Sequence, residues 1–556
     1  MSEIPFGYKI IPSVSWAYLS SLLMLALYFK FNRFWSMRNL DLLLIILLVP
    51  GLLMVSEGSN RQQRILIESK FDSSATINPE KATDDSIDSA ENSAVTGQDV
   101  TPADNPRKAL SDQGPGSVEN SVDEESFDAS KSKLAANSNE ADSKQRAASV
   151  DDRTSDRQTT AEVDERFLQA QRLERNGYIF LFCIAGFFAI RMLTDPMMVR
   201  RPMLEPNLSF GGLTFMGVSL LLFLIINVMT SQPTQDDLSG AQAAIDLIER
   251  RATDEPASER LKHGPGYGLL YLLPTISTFV ADDQPITTKV DSVQETRFVT
   301  TAKVMAIMCQ LAIVLGIFYI GYMHFDNARM GVGIAALYLM LPYTAEMTGR
   351  VIHVLPAALL IWAVACYRRP WLSGTFVGLA TGVFYYPLFL LPLWLSFYWI
   401  RGRGRFLAGV VTMIAALAFS LLFVSVDFSD YLSKLAEMFG VWTPRMDGLQ
   451  GIWALGWDSV YRLPILAGFV VLSVAFAIWP AQKNLGTLIC CSSALMAVVQ
   501  FWHGYGGGLL MGWYLPLALL AIFRPNLDDR IALTVLAKSW LERKRFNDEN
   551  KLRPAA

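Results

Sequence analysis

Long apolar runs, Leu213 to Met229 and Phe406 to Val426 among them, recur along nearly the whole chain, and short polar breaks separate them. A hydrocarbon core about 30 Å thick takes roughly 20 residues of helix to cross. Only a helix or a closed barrel satisfies its own backbone there. The pattern predicts an all-α, polytopic transmembrane helical bundle of about thirteen spans, near residues 11–29, 40–55, 178–191, 210–229, 304–323, 331–343, 351–367, 371–385, 387–400, 406–426, 464–479, 485–501 and 508–523. Several of these are shorter than a full crossing, and one or two suit re-entrant segments. The first run, Ile11 to Phe29, has only Lys9 as a basic residue before it and no small-residue cleavage site. It is therefore expected to be a retained helix and not a signal peptide.

The polar stretches divide the chain into two N-terminal helices (1–55), an extramembrane loop (56–177), two further helices (178–229), a second polar loop (230–303), a C-terminal bundle (304–523) and a basic tail (524–556). Within the first loop, Asp72 to Glu165 is rich in Ser, Asp, Glu, Ala, Asn and Gln and nearly free of aromatic residues. Such a composition buries too little apolar area to offset chain entropy, so a long disordered insert is expected, as a solvated spacer or a tether for a partner. Asp151 to Glu174 can instead extend as a polar helix into the third span.

With 51% hydrophobic and 18% charged residues, the main solvent is a bilayer, and a net charge of −4 predicts no nucleic-acid partner. The basic residues of the short connections (Lys30, Arg33 and Arg38; Arg191, Arg200 and Arg201; Arg329; Arg368 and Arg369; Arg401, Arg403 and Arg405; Lys483) fall on one side if there are thirteen spans. The positive-inside rule then puts the N-terminus outside and the C-terminus in the cytoplasm. A bacterial inner membrane is the expected site. The tail around Lys538 to Lys551 is expected to rest near anionic headgroups of the membrane lipids. Cys183, Cys309, Cys366, Cys490 and Cys491 all lie in apolar runs and imply neither a disulfide framework nor a zinc knuckle. The chain carries no nucleotide-binding loop ending in Lys-Ser/Thr and no metalloprotease histidine pair.

Candidate chemistry collects on the outer side. In the stretch Ser231 to Arg251, Asp236 and Asp237 stand just beyond a span, Pro233 limits its extension, and Ala241, Ala244, Ile245 and Ile248 have helical spacing. A carboxylate at that depth can take a proton from a hydroxyl or bind a divalent cation; it can equally be a helix cap. Gly264 to Pro274 is apolar, too short to span, and broken by Gly and Pro, which suits an interfacial or re-entrant element. Glu346, Arg350 and His353 are spaced to share one helical face. Such a cluster binds an anion, or satisfies itself as a Glu346–Arg350 ion pair beside a packed histidine. Trp442, Arg445 and Asp447, followed by Trp453 and Trp457, offer aromatic faces for a sugar or an interfacial belt. His503 and Tyr505 occupy the last outward turn.

An aspartate pair after a span, an Ala-rich helix, a Gly-Pro-Tyr segment and closely spaced helices resemble the integral-membrane type C glycosyltransferases, above all the branch that uses polyprenol-phosphate-mannose. Arg369 to Trp394, with Gly374, Gly378 and Gly382 at intervals of four, is similar to their Gly-rich helix, polar break and Pro-containing helix. The likeness covers roughly residues 210–425. At the break this chain has Phe384-Tyr385-Tyr386 where the family often has a Lys or another polar residue. The resemblance implies that Asp236 or Asp237 is the first-loop catalytic acid. It also implies that a sugar moves from a polyprenol-phosphate donor to an acceptor on the non-cytoplasmic face, with inversion. The alternatives are a non-enzymatic transporter or a membrane scaffold whose insert recruits partners. Spans nearly free of mid-membrane charge count against ion coupling.

Overall fold

The computed structural model describes residues 13–77, 135–198, 205–233, 237–242, 244, 266–280, 290–425, 427–439 and 448–536. Among them every regular element is a helix, and the only strand-like pairing is one isolated bridge between Asn484 and Ile531. In chain order the α-helices are α1 (Ser13–Tyr28), α2 (Met37–Ile77), α3 (Ala135–Thr194), α4 (Phe210–Thr230), α5 (Gly266–Val280) and α6 (Val290–Met323). There follow α7 (Ala328–Met340), α8 (Pro342–Met347), α9 (Val351–Ala365), α10 (Pro370–Val383), α11 (Leu391–Phe397) and α12 (Arg403–Val424). The chain continues with α13 (Phe428–Phe439), α14 (Arg462–Ile478), α15 (Leu485–Trp502), α16 (Leu515–Phe523) and α17 (Ala532–Val535). Residues 237–242 form a further helical turn.

Among the described residues, by length and composition, seven helices are apolar enough to cross a membrane: Met37–Ser69, Val163–Met197, Phe210–Thr230, Arg297–Met323, Arg403–Phe423, Ser459–Ile478 and Leu485–Trp502. Four shorter apolar helices, Ser15–Tyr28, Ala328–Met340, Val351–Ala365 and Tyr386–Phe397, accompany them. The protein is thus an all-helical, multi-pass membrane protein. Proline explains several of the short elements. Pro370 opens α10 and Pro342 opens α8, each at the first helical position, where its missing N–H costs nothing. Pro387 is the second residue of the 3-10 turn Tyr386–Leu390 ahead of α11, where its N–H would have no intrahelical partner either.

Two compact units are present, Met1–Ser56 with Glu174–Ala556, and Glu57–Leu173. In the second, α2 runs on to Ile77 and α3 begins at Ala135. Helix therefore occupies both ends of the stretch expected to be disordered, and it includes and extends the polar helix foreseen over 151–174. The middle of the insert, 78–134, and the tail beyond residue 536 lie outside the described residues.

In the first unit the segment from α14 to α16 and the segment from α6 to α10 share one continuous core. Only 17% of the α4 window and 22% of the α14 window is buried, whereas 89% of the α15 window is, so α15 is a central helix and the other two are peripheral. Phe215 on α4 and Val471 and Ile478 on α14 are exposed, as lipid-facing side chains are. Lipid tails are as apolar as leucine, so close backbone approach replaces hydrophobic transfer as the main force between such helices. The α10–α12 pair shows this. A Cβ at Gly378 would come 2.8 Å from the Val410 carbonyl oxygen, and one at Gly374 or Gly409 would run into the Phe406 or Trp371 carbonyl.

Charge is also built into the bundle, at its arginine-bearing end. Arg191 on α3 grips Asp41 on α2 with two hydrogen bonds of 2.6 and 2.8 Å and reaches Asp195 at 3.0 Å. The second Asp195 oxygen accepts from Arg524 at 2.8 Å and from the Cys490 thiol at 2.6 Å. Asp41, Asp195 and Arg524 are buried, and the network is closed by mutual pairing.

Candidate functional site

Of the candidate residues, Asp237, Arg350 and His353 are brought to the N-terminus of α9. Asp237 is fully buried, and its Oδ1 accepts a hydrogen bond of 2.8 Å from the Val351 backbone N–H. The capping role foreseen for this aspartate is real, but it is exercised on another helix, 114 residues away in sequence. The turn 237–242 is seated on α5 through Gly240, where a Cβ would come 2.5 Å from Tyr267 and 2.7 Å from Tyr271. Those two tyrosines join hydroxyl to hydroxyl at 3.1 Å, and the Asp237 charge acts on Tyr271. Segment Gly264 to Pro274 is thus a helix packed into the bundle from Gly266 onward. Asp236 lies outside the described residues.

The expected single helical face for Glu346, Arg350 and His353 is not formed. The helix breaks between Met347 and Val351: Gly349 is a poor helix former, Arg350 is extended (φ −96°, ψ 107°), and Asp237 caps the new helix from outside. Glu346 therefore belongs to α8, Arg350 stands at the turn, and His353 enters the buried first turn of α9. The Tyr343 hydroxyl accepts from the Gly512 N–H at 2.7 Å and shares a hydrogen bond, also of 2.7 Å, with His353 Nδ1. The opposite side of that ring meets the Leu509 backbone. His353 is a buried, hydrogen-bonded residue of the core.

Glu346 and Arg350 behave differently. Among the described residues neither makes an ion pair within 4 Å, so the internal salt bridge that would have satisfied them is not present. Both side chains are exposed. Protein nevertheless crowds around Glu346 enough that burial raises its carboxyl above the ordinary glutamate range, with Arg350 pulling it partly back. Glu346 thus combines an open surface with dense protein surroundings. Near α8, a small apolar crevice with room for no more than about one water molecule is lined by Ile45, Leu48, Leu52, Pro342, Tyr343 and Leu515, with further apolar neighbours.

The turn after α15 adds a buried aromatic cluster. His503 is buried and its Nδ1 accepts from the Tyr505 N–H at 3.2 Å. Tyr386 lies 5.3 Å from Trp502, 5.2 Å from His503 and 5.4 Å from Trp513, ring centre to ring centre. Phe384 bridges Trp513 and Tyr267 at 5.2 and 6.0 Å. The Phe384-Tyr385-Tyr386 break, the α5 segment and the His503 turn are thereby brought together, and Trp513 Nε1, donating to the Ile352 carbonyl at 2.9 Å, ties them to α9. Trp442, Arg445 and Asp447 lie outside the described residues.

Sequence reasoning passed over Arg462. This buried first residue of α14 donates from Nε to the Trp502 carbonyl at 3.1 Å, with Tyr385, Tyr386 and Tyr505 as its electrostatic neighbours. Its signal was available: an arginine at the start of an apolar run. Among the described residues no group of three or more His, Cys, Asp or Glu side chains is placed to hold a metal ion, so nothing there builds the divalent-cation site considered for the aspartates. No family model, curated protein or solved structure matches the chain.

Proposed function

We propose that this protein transfers a sugar from a polyprenol-phosphate donor to an acceptor hydroxyl at the non-cytoplasmic face of the membrane. The observation that carries the reading is the position of α8. It presents an exposed Glu346, close to an exposed Arg350 at the turn that follows, and neither has an ion-pair partner among the described residues. In this reading Arg350 faces the phosphate as negative charge develops on leaving. Glu346 accepts the proton of the acceptor hydroxyl, a task helped by a carboxyl raised toward working pH. Asp237, already engaged with Val351, positions the α9 N-terminus. The thirteen-span topology, with the N-terminus outside and the C-terminus cytoplasmic in a bacterial inner membrane, belongs to the same proposal.

A second reading, a transporter, draws on the buried network of Asp41, Arg191, Asp195 and Arg524, because ionisable groups inside a membrane bundle mark ion paths. The fate of a labelled sugar separates the two. The full-length protein in lipid, given labelled polyprenol-phosphate sugars, is expected to move the label into a product no longer attached to polyprenol. Label that crosses the bilayer still on its lipid favours the transporter, and label that does neither overturns both.

A further inference from the structure

At the end of the bundle where α10 and α12 begin, arginines and tryptophans share one surface. Arg403 stacks its guanidinium over the Trp399 ring at 4.4 Å, and Trp399 is 63% exposed. The close α10–α12 crossing puts Trp371, 47% exposed, against Gly409, one turn beyond Arg405. Arg368 and Arg369 sit just before α10 and are exposed. Arg368, Arg369, Arg403 and Arg405 have no carboxylate within ion-pair distance among the described residues. Between Glu346 and Asp427 the sequence contains no Asp or Glu at all. Arg401, by contrast, is spent on the Leu533 and Leu536 carbonyls at 2.8 and 3.0 Å.

Four uncompensated guanidinium groups beside two exposed indoles match one kind of occupant. Guanidinium forks bind phosphate oxygens, and indole rings settle at headgroup depth. The flanking Ile400, 74% exposed, offers purchase for an acyl chain. The chain's own tail is a poor occupant, since residues 537–556 carry Lys538, Arg543, Lys544, Arg545, Lys551 and Arg553 against only Glu542, Asp548 and Glu549. We propose that the Arg368, Arg369, Trp371, Trp399, Arg403 and Arg405 surface is a binding site for the headgroup of an anionic phospholipid. The proposal is independent of the sugar-transfer reading.

The test uses the full chain in bilayers of equal phosphatidylglycerol and phosphatidylcholine, extracted gently and examined by native mass spectrometry for retained lipid. The wild type is expected to keep phosphatidylglycerol over phosphatidylcholine by at least about fivefold, the preference one cation brings near an anionic surface. Replacing Arg368, Arg369, Arg403 and Arg405 by Gln should bring the ratio close to one. R403K, which keeps the charge but loses the planar stack, should retain part of it. The exposed pair Arg61→Gln and Arg64→Gln controls for net charge. If the fourfold variant does not purify as a single species, R368Q/R369Q and R403Q/R405Q are read separately, each losing part of the preference. An unchanged ratio in these variants, or a ratio lost instead on replacing Lys538, Arg543, Lys544 and Arg545 by Gln, overturns the proposal.

Discussion

Removing the Asp237 carboxylate in two ways separates its structural service from chemistry. Its Oδ1 receives the Val351 N–H at 2.8 Å in a fully buried place, so Asp237→Ala leaves an α9 donor without an acceptor. A lost cap costs about 1 kcal/mol, and a lost hydrogen bond to a charged acceptor about 1.5–3 kcal/mol. For this buried contact the expected destabilisation is about 2 kcal/mol, or roughly a thirtyfold shift in the folded-to-unfolded ratio. Asp237→Asn keeps a carbonyl oxygen in the same place and should cost less than about 1 kcal/mol, the margin between charged and neutral acceptors. Unfolding in mixed micelles of a mild detergent and dodecyl sulfate measures both. Sugar transfer should survive in the Asn variant within a few fold, because Asp237 positions α9 and Glu346 takes the proton. Equal destabilisation by Ala and Asn would show that charge, not the acceptor oxygen, holds α9. Wild-type stability in the Ala variant would refute the cap itself.

Three further expectations follow from the same geometry. Since burial raises the Glu346 carboxyl, activity should be lost as pH falls through a midpoint above the ordinary glutamate value of about 4.3. Arg350→Gln removes a lowering influence and should move that midpoint further up, so a downward move in the rate–pH profile would contradict the assignment. Asp195→Ala strands Arg524 in a buried place, while Arg191 keeps Asp41, and should cost about 3–5 kcal/mol, more than Asp326→Ala in the exposed Arg530–Asp326 pair; an equal loss of stability in the two variants would count against the network. Gly409→Val drives a side chain into the Trp371 carbonyl and should cost about 1–3 kcal/mol, whereas Gly404→Val, with open space around it, should leave the unfolding midpoint unchanged.

The helical class and the glycine contacts of α10 and α12 were legible in the sequence because hydropathy and small-residue spacing are local signals. Short segments were harder. Pro387 and Pro516 reshape runs that hydropathy alone reads as single spans into a 3-10 turn with a short helix, or into the nine-residue α16. The site was legible as residue types and less so as geometry. Asp237 was recognisable as a possible cap, but the helix it caps is set by a contact 114 residues away. The expected face of Glu346, Arg350 and His353 assumed an unbroken helix, and the break at Gly349 sends His353 into the core and leaves the other two at the surface. Tyr343 and Gly512, which hold His353, carry no pattern that marks them in advance.

The most direct test of the central claim is the initial rate of sugar transfer from a panel of polyprenol-phosphate sugars to acceptor lipids, measured for wild type, Asp237→Asn and Glu346→Gln alongside their unfolding midpoints. The account predicts transfer by the wild type, near-normal transfer by Asp237→Asn, and a loss of at least about a hundredfold in a normally folded Glu346→Gln, the usual worth of a general base. Undiminished transfer by Glu346→Gln, or no transfer by the wild type from any donor, would contradict it.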